Sequence, residues 1–321
     1  MNTIYASILK GLRKASYHGP VHIVPFMTPD EASGRVSWWL ETGQPCMIAR
    51  FGSVELNALC NALAVSAPDH SAWDFIRGRQ PAWWWNRKGM EEMQANAGFF
   101  PPDEEHLLRF AELMERDIRS LDMLGSWRPE ERYLDLDIEQ IPLVYMEPYW
   151  SARPWSRMLA GRTVLVIHPF ASLIESQYYT RRTSLFKNPD VLPPFTLKTL
   201  QAVQSIGGDG QGYADWFEAL DAMKAQMDAA EYDIALIGCG AYGFPLAAHA
   251  KRTGHQAVHL GGALQLLFGI KGRRWEDPEY GVKEWGLPRG FYPSLFNEYW
   301  VRPGDGLRVK NADQVENACY W

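Results

Sequence analysis

Cysteine is scarce in this sequence: Cys46, Cys60, Cys239 and Cys319 stand far apart, and no C-x-x-C pair occurs. Without paired spacing there is no sign of a disulfide or zinc framework, and the four thiols read as reduced, small apolar residues of a cytosolic protein. An excess of positive charge is also missing. Lys and Arg number 32 against 38 Asp and Glu, a net charge of -6, which argues against nucleic acid as a partner, since that partner asks for a basic face. No stretch of 18 apolar residues is present, so no transmembrane helix is expected. The N-terminus lacks an apolar signal-peptide core, and the expected location is the cytoplasm. Residues 3 to 14, TIYASILKGLRK, have the spacing of a short basic amphipathic helix. Such a helix is either an ordinary surface element or a peripheral contact with the inner face of the membrane. Internal repeats and low-complexity tracts are absent.

What is there is the composition of a globular protein. Of 321 residues, 46% are hydrophobic and 22% charged, enough to bury a large core. Tryptophan is abundant, with 14 copies; its flat face packs in cores and also on sugar C–H bonds. Strand and helix alternate along the chain. Strands are expected at 46–51, 141–146 (IPLVYM), 163–170 (TVLVIHPF), 196–206, 233–238 (DIALIG) and 256–261. Helices are expected at 31–43, 54–64, 103–122, 172–182, 214–229, 244–253 and 263–270. The strands are apolar runs, as strands buried on both faces are. The pattern predicts one α/β domain over 1–321, a Rossmann-like, mostly parallel sheet with helices on both faces. A Trp-rich and helical insertion or lid is expected at 65–130, and an irregular C-terminal extension at 276–321.

Ligands of such sheets bind outside the carboxyl ends of the strands, and four strand ends here carry chemistry. In MIARFGSVELNAL, Arg50 ends an apolar strand, where an unpaired charge is costly. Gly52 follows, Ser53 is placed to cap the next helix, and Glu55 stands in its first turn, either compensating the helix dipole or meeting a ligand. In IHPFASLIESQY, His168 ends a strand as a candidate base, phosphate ligand or core histidine. Ser172 and Glu175 have the S-x-x-E spacing of a capping box, the competing explanation for Glu175 as a base. In IGCGAYGFP, Gly238, Gly240 and Gly243 spell G-x-G-x-x-G around Tyr242, a turn that lets backbone approach an anion at a helix N-terminus. In VHLGGALQLLFGIKGRRW, His259 ends a strand and Gly261, Gly262 and Gln265 follow. An acid there would hold a ribose, as in dinucleotide enzymes; its replacement by His259 counts against a methyltransferase or dehydrogenase. Lys271, Arg273 and Arg274 form either a solvated basic tail or a clamp on a diphosphate. Together the four ends read as one cleft for an anionic ligand.

The R-F-G-x-x-E-L of residues 50 to 56 resembles the R-F-G-D-G-E-L signature of the GT-D-type glycosyltransferases, first described as a domain of unknown function. Residues 237–247 and 259–269 resemble that family's later glycine motifs, so the likeness runs from about residue 45 to 275. It implies a nucleotide diphosphate sugar as donor, foremost a UDP-sugar, and a bacterial surface glycan or glycoprotein as acceptor. Polysaccharide biosynthesis is the implied setting. The family's D-x-E carboxylates accompany a divalent metal; here Ser53, Val54 and Glu55 stand there, leaving Glu55 as the single candidate ligand for Mg²⁺ or Mn²⁺. Arg50 and the 271–274 cluster are the alternative source of compensating charge. The resemblance further implies Arg50 and the glycine turns holding the diphosphate, with Glu55, His168 and Glu175 as rival bases. The Trp-rich 73–85 stretch and Tyr299, Trp300, Tyr320 and Trp321 are candidate acceptor platforms. The Ser53 replacement also leaves open a non-catalytic nucleotide- or glycan-binding protein.

Overall fold

The computed structural model describes residues 3–17, 19, 26–304 and 319–321. Its centre is a parallel sheet of seven strands among the described residues: β1 Cys46–Ala49, β2 Met123–Ser126, β3 Glu139–Pro142, β4 Thr163–His168, β5 Thr196–Gln201, β6 Ile234–Ile237 and β7 Gln256–His259. Their order is β3-β2-β1-β7-β6-β4-β5. The chain winds outward from β1 to β3, crosses to the far side for β4 and β5, and then fills the middle with β6 and β7. Register is fixed by pairs such as Ile48↔Val258, Leu236↔Val258 and Val166↔Leu236.

Period-two alternation divides the strand residues between two cores. Met47, Ala49, Leu165, Ile167 and Ala235 face one, and Cys46, Ile48, Val164, Val166 and Leu236 the other. Helices cover both faces. They are α1 Thr3–Ser16, α2 Pro29–Glu41, α3 Ser53–Ser66, α4 Ala72–Ile76, α5 Arg87–Ala97, α6 Glu104–Ile118, α7 Ala171–Leu185, α8 Trp216–Asp228, α9 Gly243–Arg252, α10 Leu264–Leu267, α11 Arg273–Glu276 and α12 Val282–Trp285. Residues of α3, α5, α6, α8 and α9 fill the first core, while α2, α7 and α10 serve the second. Side chains start several of them: Thr28 and Glu31 form a capping box on α2, Asp103 caps α6 and Asp215 caps α8. No helix of the described residues is long and apolar enough to cross a membrane.

Three sequence expectations change. IPLVYM is a strand only at its start, because Pro142 has no N–H for the ladder and Leu143–Met146 turns into a 3-10 helix. β2 was not foreseen: MLGS is short and carries a glycine. Gly125 is needed there, since a Cβ would lie 2.0 Å from Met146 Sδ. The expected helix 263–270 is a single turn of α-helix, α10, entered through a 3-10 turn. The segment 65–130 supplies α4, α5, α6 and β2, and the 276–321 extension lies outside the described residues at 305–318.

Candidate functional site

The four strand ends meet. β1, β7, β6 and β4 are neighbours in the sheet, and their carboxyl ends open into one cavity of about 420 Å³. Arg50, Gly52, Ser53 and Glu55 line it from the end of β1, and His168 from the end of β4. Gly238, Gly240 and Tyr242 come from the turn after β6. His259, Gly261, Gly262 and Gln265 come from the turn after β7. The glycine turns touch: a Cβ on Gly238 would lie 2.5 Å from the Gly261 carbonyl oxygen. Gly240 and Gly261 sit at φ of +57° and +63°, the left-handed region that favours glycine. The residues that cap α3, α7 and α9, Gly52, Phe170 and Tyr242, all line the cavity, so three helix N-termini present their positive dipole ends to it.

Two expected residues are not brought in. Glu175 does not cap α7, whose N-cap is Phe170 without a side-chain bond. It is exposed and accepts a hydrogen bond from Thr199 Oγ1 on β5 at 2.5 Å, away from the cavity. Gly243 is structural: a Cβ there would lie 2.2 Å from Cε1 of His259, so its hydrogen makes room for that ring. Ser53 also differs from expectation. Gly52 is the N-cap of α3, with no side-chain bond, and Ser53 is the first helical residue.

Arg50 is the unusual group. Among the described residues its guanidinium has no hydrogen bond or ion pair; it lies 5.2 Å from the centroid of the Trp127 ring, as a cation over an aromatic face. Burial pushes its pKa down, and nearby Glu55 works against that. Burial likewise raises the Glu55 carboxyl above the usual range, with Arg50 partly offsetting it. Glu55 folds back over Gly52, where a Cβ would lie 1.9 Å from its Oε2. Two further arginines line the same cavity: Arg128, paired with Glu130 at 3.0 Å, and Arg274.

The histidines are neutral and opposite in tautomer. His168 Nδ1 accepts the Phe170 N–H at 3.0 Å, so its proton sits on Nε2. Its pKa is lowered to about 3 by burial. His168 thus presents an N–H donor, not a lone pair, on its other nitrogen. His259 Nδ1 lies 3.1 Å from the Ile237 carbonyl, which can only accept, so Nε2 keeps its lone pair. Burial and then Arg50 lower its pKa to about 3.

The C-terminal residues complete the wall. Arg273 and Arg274 backbone N–H groups donate to Trp321 O and Cys319 O, each at 3.1 Å. Gln265, buried, spends its Nε2 on the carbonyls of Ile270 and Tyr320 at 3.3 and 3.2 Å, so it anchors the tail. The Tyr320 ring covers Gly262, where a Cβ would lie 2.2 Å from Cε1. Of the basic cluster, Lys271 pairs with Glu276 at 3.5 Å and Arg273 is exposed, while Arg274 enters the cavity with its guanidinium 4.9 Å from the Tyr320 ring centroid. Tyr242 is mostly structural, its ring stacked on Trp216 and its hydroxyl 2.7 Å from Ser205 Oγ. Sequence reasoning missed Trp127 and Arg128. They follow β2, and the strand-end rule finds them once that strand is known.

The donor set does not suit a divalent cation. Mg²⁺ or Mn²⁺ asks for several oxygen ligands, and Glu55 shares its surroundings with the charge of Arg50. No group of three His, Cys, Asp or Glu among the described residues could hold a metal.

No family model matches the chain, and no curated protein matches it. Two solved structures resemble it. One is a selenomethionine-substituted domain of unknown function 1792, 12% identical, with a TM-score of 0.37. The other, 13% identical with a TM-score of 0.36, is described as the same domain with a distinct glycosyltransferase fold. Each likeness covers 94% of this chain and 96% of the other. At these scores they add nothing to the functional argument, which rests on the cavity.

Proposed function

We infer that the protein is a glycosyltransferase that moves a sugar from a nucleotide diphosphate sugar, a UDP-sugar foremost, to a bacterial surface glycan or glycoprotein. The observation that carries this is Arg50: a partly buried guanidinium, unspent on protein, that faces two glycine turns in a cavity with two further arginines. A buried cation without a partner is costly, and a diphosphate supplies the partner. The cavity volume falls within the range of sites that take small ligands. The motif resemblance supplies the reaction class.

In the transfer, the acceptor hydroxyl oxygen bonds to the anomeric carbon. The bond from that carbon to the diphosphate breaks, and its electron pair leaves with the nucleotide. Arg50, Arg128 and Arg274 and the glycine-turn amides would stabilise the departing charge, which is often the largest catalytic term. The acceptor proton goes to Glu55, whose raised pKa brings it nearer the operating pH. His259 Nε2 is free to accept from a sugar or ribose hydroxyl, and His168 Nε2–H to donate. Because the cavity does not suit a metal, the arginines carry the charge compensation. On α1, Ile4, Ile8 and Leu12 stand one turn apart and exposed, an apolar stripe that supports a peripheral contact with the cytoplasmic face of a membrane.

Ser53 at the family's acidic position favours a second reading, a nucleotide-binding protein without transfer. Calorimetry with UDP-, GDP- and TDP-sugars, with and without Mn²⁺, separates these. Binding with slow release of nucleotide diphosphate is expected of the transferase. Binding without release supports the second reading, and no binding at all ends both.

A further inference from the structure

A transferase needs room for two substrates, and a second cavity of about 470 Å³ lies against the first. Val54 is in the wall of both. On α3, Val54, Asn57, Ala58 and Asn61 follow helical spacing and line the second cavity, while Ser53 and Glu55 line the first. The two cavities therefore adjoin at the first turn of α3, with Val54 on the rim of both and Glu55 on the side of the first. A second link joins them: Arg128, on the first cavity, pairs at 3.0 Å with Glu130, on the second.

Resting on the transferase reading, we propose that this second cavity is the acceptor site and that it takes the sugar end of a saccharide. Its wall carries the rings of Tyr17, Phe75 and Tyr133 together with the polar groups of Asn57 and Glu92. A saccharide shows C–H faces and a dense set of hydroxyls; rings pack on the former, and amides and carboxylates bond the latter. The wall is held in place before any ligand arrives. The Tyr133 hydroxyl donates to Gly78 O at 2.9 Å and accepts from Arg13 at 3.1 Å and Arg132 at 2.8 Å. Asn61 spends Nδ2 on Ala82 O and Trp84 O, at 2.7 and 2.9 Å, and so builds the wall. Asn57 differs: it is exposed and makes no side-chain hydrogen bond among the described residues, so its amide is available. The tryptophans named as platforms stand behind. Trp83 stacks on His70 and meets the buried Phe75 edge-on, while Arg13 lies 4.7 Å from the Phe75 ring centroid and Arg132 4.7 Å from that of Tyr133. Preorganisation of this kind lowers the ordering cost of binding.

The test is saturation-transfer NMR and calorimetry with methyl and p-nitrophenyl glycosides of glucose, galactose and N-acetylglucosamine, each with and without UDP. Asn57→Trp puts a bulky ring into the cavity from an exposed helix position, and an unchanged melting temperature shows that the fold is kept. Glycoside affinity is expected to fall tenfold or more in this variant, with UDP affinity within twofold of the parent. Equal glycoside binding by parent and variant overturns the proposal. So does a parent protein that binds UDP but none of the glycosides. Failure to bind UDP overturns the transferase reading, and the acceptor assignment with it, so the two failures are told apart by which ligand is silent.

Discussion

A guanidinium at the end of an apolar strand is tolerable only if something negative meets it. Arg50 has Trp127 beneath it and Glu55 nearby, but neither is bonded to it. Its role toward ligand is therefore separable from its role in the fold. Arg50→Ala is expected to weaken UDP binding ten- to a hundredfold, the loss of about 1.5–3 kcal/mol typical of a charge-assisted bond. Its melting temperature should move by only about 2 °C. Calorimetry and a thermal melt read both; collapse of the fold would show Arg50 to be a structural partner. Glu147 is a carboxyl of another kind, buried and without an ion pair among the described residues. It accepts from Trp150 Nε1 at 2.8 Å and Tyr292 Oη at 3.1 Å, yet burial raises its pKa to about 7. The folded state thus holds a proton that the unfolded chain releases near the ordinary value of 4.5, so this stability is present at low pH and lost as pH rises through about 7. His168 and His259, lowered to about 3, act in the other sense, losing stability as pH falls from 6.5. Glu147→Gln keeps an acceptor and removes the titration. Relative to the parent, it should gain up to about 3 kcal/mol between pH 4.5 and 8. Urea unfolding at pH 5 and pH 8 checks this, and an equal difference at both would show that Glu147 is not perturbed. Arg50 was legible as a residue because its charge contradicts its strand. Glu147 was not, since nothing in MEPYW says that its carboxyl is covered by Tyr292, 145 residues away.

At the scale of elements, the turns decide what the strand ends can present. Gly243 illustrates a glycine whose absence of side chain serves a neighbouring turn. It belongs to the G-x-G-x-x-G spacing, which marks all three glycines alike, but only Gly238 and Gly240 line the cavity. Gly243 instead gives the His259 ring its place. Gly243→Ala should push that ring outward, lowering stability by about 1–3 kcal/mol as overpacking does. It should weaken nucleotide binding as well, because Nε2 of His259 moves with the ring. Denaturant unfolding and calorimetry measure the two effects. Unchanged stability would mean that the ring has somewhere else to go. Elements built on long apolar runs, such as β4 and β6, were legible because burial on both faces leaves no alternation to misread. β2 was hidden by its length and by Gly125, which leaves room for Met146 on the 3-10 helix that follows β3. One missed strand removed Trp127 and Arg128 from view, which is how an error of element becomes an error of site.

For the whole molecule, the decisive fact is strand order. Placing β7 and β6 between β1 and β4 is what brings Arg50, Gly261, Gly238 and His168 to one rim. Parallel pairing joins segments through long crossovers, so sequence shows which strand ends carry chemistry but not that they are adjacent. The tail is a further long-range contribution. Residues 319–321 reach the rim by backbone bonds to Arg273 and Arg274 and through Gln265. Tyr320 then lies over Gly262 and beside the Arg274 guanidinium. A cation–ring contact in a partly desolvated place contributes about 0.5–2 kcal/mol and also fixes where the cation points. Tyr320→Ala is therefore expected to weaken UDP binding roughly three- to thirtyfold by freeing Arg274. Tyr320→Phe should keep most of the affinity, because the hydroxyl contact of 3.4 Å is long and the ring does the positioning. Calorimetry on the pair distinguishes the two contributions. Equal losses would assign the effect to the hydroxyl, and no loss in either would place the tail outside the binding wall.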